Sequence, residues 1–486
     1  MDITTLLSNT AAAEVWYYFL AISRIPRPSG QEQAIREFIQ TFAEQLQLDY
    51  TIDNTGNLIV YKPATPGYEQ AQPVILQSHL DMVTEMEESS LHNFMTDPLT
   101  LHIDNGWLFA DQTTLGADNG IGVAASLAIL SSQTLIHGPL EALFTVEEET
   151  TMAGAEGLDG SLLSGNVLIN LDTEELQSLY IGCAGGVNVD VHHCYERQSP
   201  PDHLQWFQLK LSGLRGGHSG CDIHLQQGNA IQLLARLLKS LTHHNLHLNS
   251  FHGGSADNAI PRQAISIIGF PLEKVAHVQH SIDTFTQQIK NEYQTVEPEL
   301  ALTLQSAPQP NDIISPQDLQ NWLNALHSCH HGVKRYSDHF SGVVESSSNL
   351  GVANIEQGKI TVNCFVRSLI DSATLDLADN LCGLFTNIGA TVQKVGLFPG
   401  WQPSPDSAVL AIVTHEYERI HQHQPEIKVI HAALECGILG EQKTGLDMIS
   451  LGPDIENPHT PRERINIASV DPFWQLLTAS LARLAG

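Results

Sequence analysis

Three apolar runs constrain the fold of this chain more than any other feature. Each has the length of a buried strand, and each hands over to imidazole or acidic groups at its carboxyl end. They are Val74-Ile75-Leu76-Gln77-Ser78 leading to His79 and Asp81, Ala142-Leu143-Phe144-Thr145-Val146 leading to Glu147-Glu148-Glu149, and Val167-Leu168-Ile169-Asn170-Leu171 leading to Asp172. Strands of this kind, separated by helices, build open α/β sheets whose sites form at the carboxyl ends of the strands. In an extended chain residues i and i+2 point the same way, so Asp81 can accept from one imidazole nitrogen of His79 and leave the other for a metal. A strand-end His-x-Asp alone is more often a plain hydrogen-bonded pair, so the reading as a metal site needs ligands from elsewhere in the chain.

At 486 residues the chain exceeds one ordinary core, and two or more domains are expected. Hydrophobic residues at 42% with 16% charged residues are a globular composition. Asp and Glu number 54 against 23 Lys and Arg, a net charge of −31, which excludes nucleic acid and anionic membrane as partners. Met1-Asp2-Ile3-Thr4 opens no secretory signal, and no apolar run reaches the roughly 20 residues of a membrane span. The seven cysteines, at 183, 194, 221, 329, 364, 382 and 436, contain no CxxC pair and read as reduced thiols of a cytoplasmic protein.

Along the chain, residues 11–22 and 31–48 are expected as helices, with Ser29 and Glu32 as a capping box ahead of the second. Leu115-Gly116-Ala117-Asp118-Asn119-Gly120-Ile121-Gly122 opens an apolar helix, at whose N-terminus Asp118 is either a capping residue or a ligand. Ile181-Gly182-Cys183-Ala184-Gly185-Gly186 marks a change of texture. Beyond it, 264–270, 274–292 and 300–304 are echoed by 360–368, 375–387 and 390–395, which reads as a duplicated β-α-β unit. The tail, with Val429-Ile430-His431, Pro458-His459 and a helix from about 472 to 484, returns to the first domain. The expected division is a catalytic domain at 1–185 and 397–486, interrupted by a second domain at 186–396.

His79, Asp118, the glutamates, Asp172 and His459 are a hard-oxygen and imidazole set suited to zinc, manganese or cobalt. Five ligands with one shared carboxylate suit two adjacent ions. Together with Glu147-Glu148-Glu149, Gly216-Gly217-His218-Ser219-Gly220, Asn258-Ala259-Ile260-Pro261-Arg262 and Asn457-Pro458-His459, these motifs resemble, over essentially the whole length, the di-zinc co-catalytic metallopeptidases that include peptidase T, carboxypeptidase G and the aminoacylhistidine dipeptidases. The resemblance implies an α/β catalytic domain with a mixed sheet flanked by helices, interrupted by an inserted α+β lid domain. It implies that Asp118 bridges two zinc ions, that His79 and Asp172 complete one coordination sphere, and that Glu149 and His459 complete the other. Asp81 and Glu148 become the catalytic residues, Glu148 as general base. Glu147 stands where the family has Asp, so the register of the triple glutamate rests on Met152-Ala153-Gly154 matching the downstream Met-x-Gly.

By the same resemblance His218 stabilises the oxyanion, Asn258 and Arg367 anchor the terminal carboxylate, and Gly437 lies in a loop packed on substrate. Read without it, His218 is a turn residue, Arg367 a structural ion pair, and Glu435 a buried group behind the ligands. His243-His244, His330-His331, His421 and His423 are read as surface residues. The function expected is hydrolysis of Xaa-His dipeptides, carnosine-like ones included. The alternatives are a broader di- or tripeptidase, an N-acyl amino acid amidohydrolase, or a non-catalytic zinc- or peptide-binding relative, which would have no use for a general base. The partner is a small peptide, and the likeness admits a homodimer.

Overall fold

The computed structural model describes residues 3–486, so the first two residues of the Met1–Thr4 stretch lie outside it. The chain divides into two compact units. One holds the chain up to Gly182 with Trp401–Val429 and Leu434–Gly486; the other holds Cys183–Gly400 with Ile430–Ala433. Ile430–Ala433 therefore groups with the second unit and not with the rest of the tail. Ala184 N donates to both Ile430 O and Ala432 O at 3.1 Å, which ties it there.

The first unit is built on an eight-stranded mixed sheet whose centre is parallel. Val74–His79 lies between Leu140–Thr145 and Val167–Asn170, and Asp447–Ser450 extends the parallel set beyond Val167–Asn170. Every residue of Val74–His79 and Leu140–Thr145 is buried, which is why apolar residues follow one another in each, Val74-Ile75-Leu76 and Ala142-Leu143-Phe144, instead of alternating with polar ones. His79 pairs in register with Thr145, and Gln77 with both Leu143 and Asn170, so three strands end together. The helix Ala117–Ser131 packs on Val74–His79 and on the helix Ala13–Ile22. A separate four-stranded sheet joins Ile455–Glu456 and Arg464–Asn466 to Trp107–Ala110 and Leu101–Asp104, and its first hairpin carries residues 457–463.

The second unit holds a nine-stranded sheet. In one half Leu204–Ser212 lies between Ala264–Pro271 and Ala301–Ser306; in the other Gly185–Cys194 lies between Lys359–Ser368 and Thr391–Phe398. In each half the outer strands are linked through a helix, Val275–Glu292 or Asp371–Thr386. These helices and the pair Ala230–Leu241 and Pro316–Ser328 share one core with the sheet.

Local expectations differ from the structure where side chains find distant partners. The second helix is Gln33–Gln45, and Ser29 does not cap it: its hydroxyl donates to Asp81 Oδ2 at 2.7 Å, while Glu32 Oε1 accepts from Gly30 N at 2.7 Å and Glu147 N at 3.2 Å. The last helix begins at Ile467, five residues before its proline, because Asn466 caps it by accepting from Ala468 N. His331 is not a surface residue. Asn229 Nδ2 donates to its Nδ1 at 3.2 Å, and burial lowers its pKa to about 4. His330 is half-buried too. Among the described residues no helix is long and apolar enough to cross a membrane, and no cysteine is in a disulfide.

Candidate metal centre

The carboxyl ends of the three central strands and the 457–463 turn converge in the first unit. Asp118 is not a helix cap. Its side chain bonds no helix amide; Oδ1 lies 3.0 Å from His79 Nε2 and Oδ2 lies 3.1 Å from His459 Nε2. His79 Nε2 is also 3.5 Å from Asp172 Oδ1, and His459 Nε2 is 3.0 Å from Glu149 Oε2. Three sets of donor atoms, each within 4.8 Å of one another, result: His79, Asp118 and Asp172; Asp118, Glu149 and His459; and His79, Glu148 and Glu149. Buried carboxylates around two imidazoles are a donor set that fits divalent cations, and Glu149 Oε1 is a buried oxygen with no hydrogen-bond partner among the described residues.

The geometry separates the three glutamates. Glu147, left-handed at φ 54°, turns away and accepts from Thr151 Oγ1 at 3.3 Å. Glu149 joins His459, while Glu148 Oε2 stays 3.9 Å from His79 Nε2. Both glutamates are held through their backbones, since Asp81 Oδ1 accepts from Glu148 N and Oδ2 from Glu149 N, each at 3.1 Å. Asp81 Oδ1 faces His79 Nδ1 at 3.4 Å, longer than a full N–H···O bond. Asp81 thus fixes the glutamate turn as much as the histidine, a role its spacing from His79 gave no sign of.

Sequence reasoning missed several of the buried charges around the centre. Glu174, two residues past Asp172, is pushed to a pKa of about 9 by burial and by the neighbouring Asp118 and Asp172. Glu435, by contrast, lies behind the ligands as the sequence suggests, accepting from Gln77 Nε2 at 2.6 Å and Thr145 Oγ1 at 2.8 Å, and burial raises it to about 7. Arg27 and Glu463 are 2% exposed. Gly437 is not in a loop but in the first turn of the helix Glu435–Gln442, where it is buried.

His218, Asn258 and Arg367 belong to the second unit and meet around one turn. Ser219 N donates to Asn258 O at 2.8 Å, and Arg367 Nε donates to Ser219 Oγ at 3.5 Å. His218 Nδ1 accepts from Gly220 N and Cys221 N at 3.3 and 3.1 Å, which places the ring proton of the neutral form on Nε2. Arg367 has no carboxylate within 4.0 Å among the described residues; it stacks over the Phe365 ring at 4.2 Å, and burial lowers its pKa to about 10. His431 is buried against Ser347 Oγ at 2.7 Å.

These shifts set a pH dependence for the metal-free protein. Burial raises Asp172 to about 7, Glu463 to about 7, and Glu174 and Glu435 as given. A carboxyl with a raised folded pKa adds stability below its unfolded value of roughly 4 and loses it as pH rises through the folded one. The bonds of His459 to Asp118 and Glu149 raise it to about 11, and the carboxylates around His79 outweigh burial and raise it as well. Their contribution is full below roughly 6.5 and is lost as pH rises further, with the half-exposed His459 discounted for screening. Asp81, held at about 2 by His79 against its burial, runs the other way but is complete by roughly pH 4. The melting temperature of chelator-treated protein should therefore fall from pH 5 to 9 in calorimetry. A flat or rising profile would contradict these assignments.

A model of the Peptidase family M20/M25/M40 matches residues 75–483. The cytosol non-specific dipeptidase of Escherichia coli (strain K12) is 40% identical over 479 residues, 98% of this chain and 99% of that protein. The crystal structure of aminoacylhistidine dipeptidase from Vibrio alginolyticus superposes with a TM-score of 0.93 at 40% identity, covering 98% of each chain. Aminopeptidase PepT from Bacillus cereus, at 15% identity, a TM-score of 0.57, and 97% and 98% coverage, shares the fold.

Proposed function

This chain belongs to peptidase family M20/M25/M40, and from that membership we propose that it is a cytoplasmic dipeptidase that works with two divalent ions, zinc by the chemistry of its donors, and takes Xaa-His dipeptides among its substrates. One observation carries the reading: a single carboxylate, Asp118, presents its two oxygens to two different histidines, each in its own three-residue donor set. One set is His79, Asp118 and Asp172; the other is Asp118, Glu149 and His459. When bound, the ions would supply Lewis acidity, activating a shared water and polarising the scissile carbonyl.

The remaining work falls to the chain. Glu148 takes the water's proton and passes it to the leaving amine. Asp81 holds the backbone of Glu148 and Glu149 and orients His79. In the second unit, which corresponds on this reading to the family's inserted domain, the Nε2 proton of His218 suits a developing oxyanion. The unpaired guanidinium of Arg367, with Asn258 beside it, suits the peptide's terminal carboxylate. That Arg367 has no ion pair among the described residues favours this over a purely structural role.

The names of the two near-full-length relatives favour a dipeptidase and differ in breadth, so the broader preference is the second reading. A panel of carnosine, Gly-His, other dipeptides and acetyl amino acids, run before and after chelation, tests it. Turnover of dipeptides, Xaa-His included, should vanish on chelation and return with zinc. Preference for acetyl amino acids would remove the dipeptidase, and activity surviving complete metal removal would remove the ions.

A further inference from the structure

Two buried charges of opposite sign grip the short segment that delivers Asp118. All four consecutive amides of residues 115–118 point at one carboxylate: Glu463 Oε2 accepts from Leu115 N and Gly116 N at 2.8 Å, and Oε1 accepts from Ala117 N at 2.7 Å and Asp118 N at 3.2 Å. The carbonyl of the same segment goes to the cation. Arg27 Nη2 donates to Gly116 O at 2.5 Å, while Nη1 donates to Leu80 O at 3.0 Å and Asp81 O at 2.8 Å. Gly116 is left-handed at φ 65°, and a Cβ there would lie 2.5 Å from Arg27 Nη2; one on Gly120 would lie 2.7 Å from it. The two glycines therefore make room for the guanidinium.

The two charges link three ligand-bearing segments. Arg27 ties the end of the His79 strand to the Asp118 segment. Glu463 ties that segment to the turn of His459, since Glu463 N donates to Thr460 O at 3.0 Å and Thr460 Oγ1 to Asn457 O at 2.9 Å. We propose that Arg27 and Glu463 are positioning residues that set the spacing of Asp118 from His79 and His459, and so the affinity of the centre for its ions. The proposal rests on the metal reading above, and groups of this kind around ligands typically carry about 10- to 100-fold in metal affinity.

Glu141 provides the control. It is 4% exposed and clamps another loop, accepting from Ser164 N, Ser164 Oγ and Gly165 N, but at the start of the Leu140–Thr145 strand, the end away from the ligands. The full chain, stripped of metal, is titrated with Co(II) alone and followed by calorimetry and visible absorption. Glu463→Gln sets an amide NH2 against backbone N–H donors. It should weaken at least one Co(II) site by about 10- to 100-fold and alter the spectrum. Glu141→Gln should lower the melting temperature comparably and leave both untouched. A Glu463→Gln protein with the parent's isotherm and spectrum would overturn the proposal, whatever its melting temperature. Should that variant not fold, Glu463→Asp, which keeps the charge but withdraws it by one methylene, is read by the same criteria. Failure of the parent chain to bind Co(II) at all would instead remove the metal reading itself.

Discussion

Glu148→Ala should lower kcat for dipeptide hydrolysis by about 10²- to 10⁴-fold, the range a positioned general base supplies, with two metal ions still bound per chain. The Glu148 carboxyl is pushed well above the ordinary range, chiefly by burial and then by Asp172, Glu435 and Glu149, which outweigh the pull of His79. A carboxylate in that setting gains by holding a proton, which a base must do between taking it from water and giving it to an amine. Its neighbour differs in kind: Glu149 lies 3.0 Å from His459, and Glu148 touches neither His459 nor Asp118. Glu148 also falls in one candidate donor set, with His79 and Glu149, so metal content decides between base and ligand. Inactivity with two ions retained is the outcome expected. Loss of an ion would make Glu148 a ligand, and unchanged turnover would strip it of either role. Steady-state kinetics paired with metal analysis reads all three.

The parts of the fold and centre legible in the sequence are those with a short-range signature. Val74–His79 and Leu140–Thr145 are fully buried and Val167–Asn170 is buried apart from Val167, so each carries consecutive apolar residues, and the imidazole and carboxylate groups stand out at its carboxyl end. Asp118 is ambiguous in sequence because a cap and a ligand look alike at a helix start; its contacts with His79 and His459, 39 and 341 residues away, separate the two. The capping box of Ser29 and Glu32 failed for a related reason. Both side chains reach across to Asp81 and Glu147, and local pairing lost to long-range hydrogen bonds. Arg27 and Glu463 had no signal at all, since a lone Arg between prolines and a Glu in a polar turn usually mean solvent. The glycines at 116 and 120 were visible as a motif, but the guanidinium they accommodate was not. The burial of His331 and His431 was hidden likewise, because a histidine's environment is set by tertiary packing rather than by periodicity.

Asp118→Asn should cost more than the loss of any other single ligand. Its two carboxylate oxygens are each near 3 Å from a different histidine, so the residue sits in both donor sets, whereas Asp172 shares only the one with His79. An asparagine keeps the shape but offers one oxygen, and turns two N–H donors toward an imidazole nitrogen that must itself face a cation. The companion variant Asp172→Asn removes a ligand from one set and leaves Asp118, Glu149 and His459 intact. Asn119 Nδ2, 2.5 Å from Asp172 Oδ1, would then oppose another amide. Metal analysis should find at most one weakly held ion in Asp118→Asn and one well-held ion in Asp172→Asn. Turnover by Asp118→Asn should fall by at least about 10³-fold, since the Lewis-acid contribution is worth several kcal/mol and each 1.36 kcal/mol is tenfold in rate. An Asp118→Asn protein that retained two ions and the parent's kcat would show that the carboxylate is not shared, and the paired centre would then have to be rebuilt around Glu149.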